Sequence, residues 1–481
     1  MSDTADDAML PDPGPTPPPA TPRPPRPSAL RAMATGGAAA PSAVKLCLVA
    51  LLLLAMLVPH WMVAGVIEER EGRQAEVQAE IAASWGPAQT ALGPVLVVPY
   101  RVGVPRQVGE PVGPPHVRRG AVTVVPTRLR AEARLAPETR RRGLFGAVVY
   151  GAEVAMEGAF SVPPLAEPEP GAELLWREAH LVAGATDLRS LGGEGPRLSW
   201  DGGPLAEGSG DGSPGALACH GFDLVRWEAG LAGPPPADRA IPFRAAMSLR
   251  GTASFRVAAL ARRTDLDLSG AWATPTFGGA SLPVRSEVTE AEFRAAWAHG
   301  SGQPVVRGGD PCREARTPGG GVGVALLEAV PTYRMVSRAS KYAAMFLALS
   351  FLTYALFELV GRARIHLVQY ALLGCSVVLF PLLLLAFGEP LGFAPGYAVG
   401  SALVAAQASL YTWSVTRSAR LAALFAAVLG ALFAFLFVVL SLETYALLSG
   451  AVALFGALSL VMLATRRVDW TGGTGAAAKA A

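Results

Sequence analysis

From Lys341 to Trp470 the chain is almost continuously apolar, cut at even intervals by short polar breaks. The breaks alternate in sign: Arg362 and Arg364, then Glu389, then Arg417 and Arg420, then Glu443, then Arg466 and Arg467. About 20 apolar residues cross a bilayer as a helix, and basic loops stay on the cytoplasmic side. The pattern predicts a bundle at 339–470 with five membrane helices, at 342–360, 368–387, 396–415, 421–442 and 444–465. An earlier apolar run at 44–67 follows Arg23, Arg26, Arg31 and Lys45 and precedes Glu68, Glu69 and Glu71. It reads as a retained signal anchor with its N-terminus in the cytoplasm. The expected fold is a polytopic α-helical membrane protein with six transmembrane helices and both termini cytoplasmic. Only 16% of residues are charged, against about a quarter in soluble domains. A net charge of +3 over 481 residues gives no nucleic-acid footprint.

Residues 68–338 follow an outward-going span, so they are expected in the periplasm as an inserted, mostly β domain with an N-terminal helix. Val77 and Ile81 give that helix an apolar face, Glu69 and Arg73 an ion pair. Gly86 and Pro87 should stop it. Strands are expected at 94–100, 121–125, 148–162 and 243–257. The last two share a texture, and Asp187-Leu188 and Asp265-Leu266 follow them; internal duplication and chance resemblance both fit. Phe293 and Trp297, one turn apart, suggest a short helix over 289–297. The Pro-rich residues 1–43 lack material for a core and read as a disordered cytoplasmic tail. Residues 471–481 read as a flexible cytoplasmic end.

The chain offers little chemistry. No nucleophile–base set emerges and no cofactor is implied. Cys219, His220 and Asp223 lack a further ligand at metal spacing, so no metal site is expected. Cys219 and Cys312 fall in the exported section, where a disulfide between them suits the compartment but no geometry supports it. Asp187, Asp265 and His180 would suggest an enzyme only if they met in one pocket, which is not expected. The Gly319–Gly323 run lacks a phosphate-loop lysine. Arg140, Arg141 and Arg142 suit a solvated turn or lipid headgroups.

In the membrane, His60 beside Trp61 is expected at the interfacial belt, Cys47 and Cys375 in the core, and Pro381 at a kink. Gly396 and Gly400, Gly430 and Ala434, and Gly450 and Gly456 suggest close helix packing. Glu358 leaves two readings open. One is an interfacial pair with Arg362 at i+4. The other is a proton or headgroup site made by Glu358, Arg362, Arg364 and His366 at the cytoplasmic edge.

Several of these stretches together resemble the CreD family of inner-membrane proteins. They are Leu92 to Tyr100 (LGPVLVVPY), Arg142-Gly143-Leu144 with Val149-Tyr150, and Leu249-Arg250-Gly251 with Phe255. Pro275-Thr276-Phe277, Lys341-Tyr342, Phe357-Glu358 and Arg364-Ile365-His366 also belong, as does Thr465 to Trp470 (TRRVDW). Leu367 stands where the family often has proline. The resemblance implies a multi-pass protein of the cell inner membrane that supports envelope integrity and the envelope stress response. It brings no catalytic mechanism. A non-enzymatic interaction or structural protein is therefore expected, with membrane lipids and unidentified envelope proteins as partners and no nucleic acid. The alternative is a transporter or lipid-handling protein, against which the spans show few midplane polar residues and no paired broken helices.

Overall fold

The computed structural model describes residues 42–104, 116–193, 195–208, 222–308, 320–326, 332–359, 365–441 and 446–465. The Pro-rich tail before residue 42, the chain end after 465, and Cys219, His220, Cys312, Arg362 and Arg364 lie outside the described residues.

The first span is two helices, α1 (Ser42–Ala55) and α2 (Leu57–Trp85). Pro59 explains the break. It has no N–H to give Ala55, and its ring crowds that carbonyl. The interruption is a single residue: Met56 N still donates to Leu52 O and His60 N to Met56 O. α2 then runs 29 residues, about 43 Å, well past the apolar segment. It stops at Gly86, whose φ of +135° suits glycine. A Cβ there would also sit 2.5 Å from Arg250 O.

Sixteen-residue β1 (Gln89–Val104) starts directly after this stop. It pairs antiparallel with β2 (His116–Val124) and β6 (His180–Ala185), and in parallel with β11 (Ser254–Ala258). β11 carries β17 (Gly321–Leu326), the last strand before the chain returns to the membrane. β5 (Glu173–Leu174), β9 (Asp223–Glu228), β13 (Pro275–Gly279) and β16 (Val306–Gly308) also belong to this sheet, and β7 (Arg197–Trp200) and β8 (Gly203–Pro204) to the other. The second sheet is built on β3 (Arg128–Arg142) and β4 (Phe145–Ser161). β10 (Ala240–Thr252) flanks β4, and β12 (Arg263–Gly270) flanks β3. Along β3, Leu129, Ala131, Ala133 and Leu135 are buried and the residues between them exposed, the period of a one-sided sheet. Both sheets supply one core, with Leu96, Tyr150, Met156, Phe243, Phe255 and Trp297 among its members.

β4 and β10, the two stretches of similar texture, are hydrogen-bonded neighbours over 13 register pairs from Thr252↔Val149 to Ala240↔Ser161. They share one buried face, which accounts for their alternation without a duplication. The expected helix at 289–297 is instead a turn at Thr289 leading into β15 (Phe293–Gly300), paired with β12. A spacing of four fits either a helix turn or one face of a strand, and Phe293 and Trp297 both reach the core. The glycines near 320 serve strand packing: a Cβ on Gly323 would lie 2.2 Å from Phe255 O.

The returning helix α3 (Thr332–Leu359) begins ahead of the expected span start. α4 (Leu367–Val378) and α5 (Phe380–Leu391) form the next span, interrupted at Leu379 as Pro381 requires. α6 (Phe393–Thr416), α7 (Ala419–Ser441) and α8 (Ala446–Thr465) follow. Among the described residues, four stretches are long and apolar enough to cross a membrane: Val44–Trp85, Thr332–Glu358, Leu367–Leu391 and Ala419–Ser441. Gly396 packs as expected, since a Cβ there would meet Gly388 Cα at 2.6 Å. Gly430, Gly450 and Gly456 have nothing within 4 Å of theirs and do not seat a described neighbour. Cys47 and Cys375 are exposed, not core; an apolar run in a membrane helix faces lipid as readily as protein.

A buried polar knot closes the joint between α2 and the β domain. Gln89 donates from Nε2 to Asp187 O at 3.2 Å and Arg250 O at 3.1 Å, and its Oε1 accepts from Asp187 N. Tyr150 Oη accepts from Gln89 N and donates to Ser254 O at 2.6 Å. Burial holds the Tyr150 hydroxyl far above its ordinary range, so it stays a neutral donor. Gln89→Leu would strand an N–H and two carbonyls, and should cost about 2–4 kcal/mol. Chemical unfolding of the full chain in nanodiscs, with hydrogen exchange over 87–98, measures it.

Candidate functional site

The ion pairs of the membrane part lie at the two ends of the bundle. At the end away from the β domain, Glu358 closes α3. Its partner is Lys45 of the first span, 313 positions away, whose Nζ meets Glu358 Oε1. The same Nζ donates to Ile365 O at 2.6 Å, and Tyr370 Oη approaches Glu358 Oε2 at 3.4 Å. Three spans are thus tied at one point. Both charged side chains are mostly covered, at 32% and 26% exposure. The expected i, i+4 pair with Arg362 falls outside the described residues; among these, Lys45 is the cation that meets Glu358. His366 turns out to be the N-cap of α4: its Nδ1 accepts from Val368 N at 3.3 Å and Gln369 reaches back to His366 N at 2.8 Å. That capping box gives it a local structural role.

At the other end, Glu389 of α5 accepts from Tyr333 Oη at 2.8 Å, and Arg70 of α2 stands 3.9 Å away. The same three spans are tied again. Arg338 of α3 reaches Leu440 O at 3.5 Å, where α7 leaves carbonyls unpaired. A cleft of about 370 Å³ lies at this end, lined by Glu71, Gln74, Gln78, Thr252, Tyr333 and Arg334 among others.

Between the clasps the bundle is more polar than its sequence suggested. Tyr354 Oη and Thr412 Oγ1 lie 2.7 Å apart, and Ser376 Oγ donates to Gln407 at 3.1 Å. His60 lies ten residues before Arg70, about 15 Å along the helix, buried with Val63 and Ile67. Its Nδ1 has no hydrogen-bond partner among the described residues. The first and third spans are both kinked, the third at Pro381 as expected and the first near Pro59, which was not expected. They also touch: a Cβ on Gly374 would meet Met56 at 3.1 Å. Neither kink unwinds backbone, since Leu379 N still donates to Cys375 O.

In the β domain, the polar residues singled out earlier go to separate partners. Asp187 caps a short 3-10 turn and is held by Arg189 at 2.8 Å; that pairing keeps its carboxyl below the ordinary range. Asp265 meets Arg128 and Arg263 on the outer face of the second sheet. His180 is buried in the first sheet, its Nδ1 3.0 Å from Glu178 O. Asp223 accepts from Leu188 N. The described residues contain no group of three or more metal-ligating side chains.

Burial lowers the pKa of His180. As pH falls below about 6.5, the unfolded chain therefore takes up a proton that the folded one resists, and stability falls. Protection of 180–185 in hydrogen exchange should drop from pH 7 to 5.5, and His180→Gln should remove most of that dependence. For the clasp, Lys45→Met leaves a carboxylate without its partner and should cost about 1–3 kcal/mol. Adding Glu358→Gln should restore most of it, as a thermal double-mutant cycle in nanodiscs would read.

The family model described as "Inner membrane protein CreD" matches residues 41–471. The inner membrane protein CreD of Escherichia coli (strain K12) is 27% identical over 426 residues, covering 86% of this chain and 90% of that protein. A solved structure, a putative nutrient binding protein from Legionella pneumophila, covers 53% of this chain and 80% of its own at 10% identity. Its TM-score is 0.23, a likeness that carries no argument. The family match spans both membrane parts and the whole β insertion between them: this chain, a multi-pass inner-membrane protein, belongs to the CreD family.

Proposed function

We propose that this protein supports envelope integrity and the envelope stress response as a non-enzymatic scaffold, presenting its β domain in the periplasm to other envelope proteins. One observation carries the reading: the β domain is continuous with the first span. α2 passes from the bundle to Trp85 without interruption, and clasps through Lys45 of α1 and Arg70 of α2 hold the first span at both ends of the bundle. Val77 and Ile81 then bury against Ala147 and Val149 of β4. Trp85 Nε1 donates to Tyr150 O at 3.2 Å, and Arg140 lies 3.8 Å over the Trp85 ring. Such a mount suits holding a surface at a set height and orientation.

In this reading all six helical segments cross. Lys45, Arg417 and Arg420 mark the cytoplasmic end, and both termini lie there. Arg334 and Arg338 sit at the opposite end, where Arg338 caps α7. The charged groups of the β domain mostly satisfy one another, as in Arg128–Asp265 and Arg130–Asp267. That favours a presented surface over a reactive one. β14 (Arg285–Val288) is the edge of the second sheet and is exposed throughout, the geometry of strand addition.

The test is in-cell photo-crosslinking from Val284 and Val288. A discrete adduct with one envelope protein is expected. Adducts with lipid alone, or none, would contradict the scaffold reading and favour lipid handling or transport in the bundle.

A further inference from the structure

We infer that the turn between β3 and β4 rests in the lipid headgroup layer on the β-domain side of the membrane, with Leu144 among the lipids and Arg141 on their phosphates. Contacts along α2 set the height of this hairpin. Tyr150 meets Trp85, Gly146 O accepts from Gln78 Nε2 at 3.2 Å, and Arg142 pairs with Glu80 at 2.7 Å. The hairpin therefore descends beside the helix toward the bundle. Phe145 ends the descent against Tyr333, ring centroids 6.0 Å apart, and Tyr333 is bonded to Glu389 at the bundle's end.

Distances can be counted from Arg70, which pairs with Glu389. Gln78 lies eight residues farther, about 12 Å. From Gly146 back to Leu144 is two strand residues, about 7 Å toward the membrane. The tip thus stands about 5 Å above Arg70, within a headgroup layer roughly 5–8 Å thick.

The side chains suit that place. Leu144 is 57% exposed, and Gly143 at φ +64° makes the tight turn that presents it. Arg140 is engaged by Glu138 and Trp85, and Arg142 by Glu80. No carboxylate among the described residues is within ion-pair reach of Arg141, which is exposed. An apolar tip beside an uncompensated cation at headgroup depth is the pattern of an interfacial anchor for anionic phospholipid. The inference needs only that the bundle lies in the bilayer; it stands whether or not the domain binds a protein.

The test places a photo-crosslinking side chain at Leu144 in the full chain, in nanodiscs of equal phosphatidylglycerol and phosphatidylcholine. Leu282 is the control. It is 73% exposed, but its neighbour strand lies level with Glu132 through the pairings Arg285↔Ala296, Asp267↔Ala296 and Asp267↔Glu132. That is ten residues up β3 from Arg142, roughly 33 Å farther out. Phospholipid adducts should form at Leu144 and be lost at Leu282, with phosphatidylglycerol over-represented. Arg141→Gln should reduce that bias about fivefold, the factor for one charge at an anionic surface. Equal yields at the two positions would overturn the placement. An unbiased yield at Leu144 would overturn the phosphate contact. Arg141 is exposed and carries no described ion pair, so its loss leaves the fold intact as a control.

Discussion

The rest of the molecule depends on one helix that does not end where the membrane ends. α2 begins inside the bilayer and stops at Gly86, against Arg250 and Ser190 of the β domain. Each turn of it has a partner. Val63 and Ile67 face the bundle, Arg70 reaches Glu389, and Val77, Ile81 and Trp85 hold β4. A helix is stiff over this length, so the domain inherits the orientation of the bundle. A flexible linker would have left domain motion as the default.

The domain could be inserted at this point because its two ends meet. β1 starts four residues after α2 ends, and β17, the exit strand, is separated from β1 only by β11. Entry and exit leave the same sheet side by side, so both neighbouring helices can return to one bundle. The two clasps then do different jobs. Lys45–Glu358 pairs a half-buried carboxylate at the end away from the domain. Tyr333 and Arg70 hold Glu389 just under the domain. Both use the same three spans.

Much of this was legible beforehand, for identifiable reasons. Gly86-Pro87 announces the end of α2 because no other residue pair stops a helix so firmly. LVVPY reads as strand because an apolar run bounded by prolines has no room for helical turns. The spans show in the apolar runs because the bilayer demands internally bonded backbone. The misses share a cause. Lys45 and Glu358 are 313 residues apart, so no local spacing could pair them. A four-residue spacing could not tell a helix from a strand at Phe293 and Trp297. The start of α3 was hidden because Arg334, Arg338 and Lys341 make its first turns look like loop. Gly430 and Gly456 resembled packing glycines, yet small residues permit close approach without causing it.

The claim that the β domain is rigidly mounted on the bundle can be measured directly. Spin labels at Leu282 on the domain and at Leu391 at the outer end of α5, both exposed, report their separation by pulsed electron resonance in nanodiscs. A rigid mount predicts one narrow distance distribution, and a glycine–serine insertion between Arg73 and Gln78 should broaden it. A broad or multi-peaked distribution in the unmodified helix would mean that the domain swings freely, and would contradict the account.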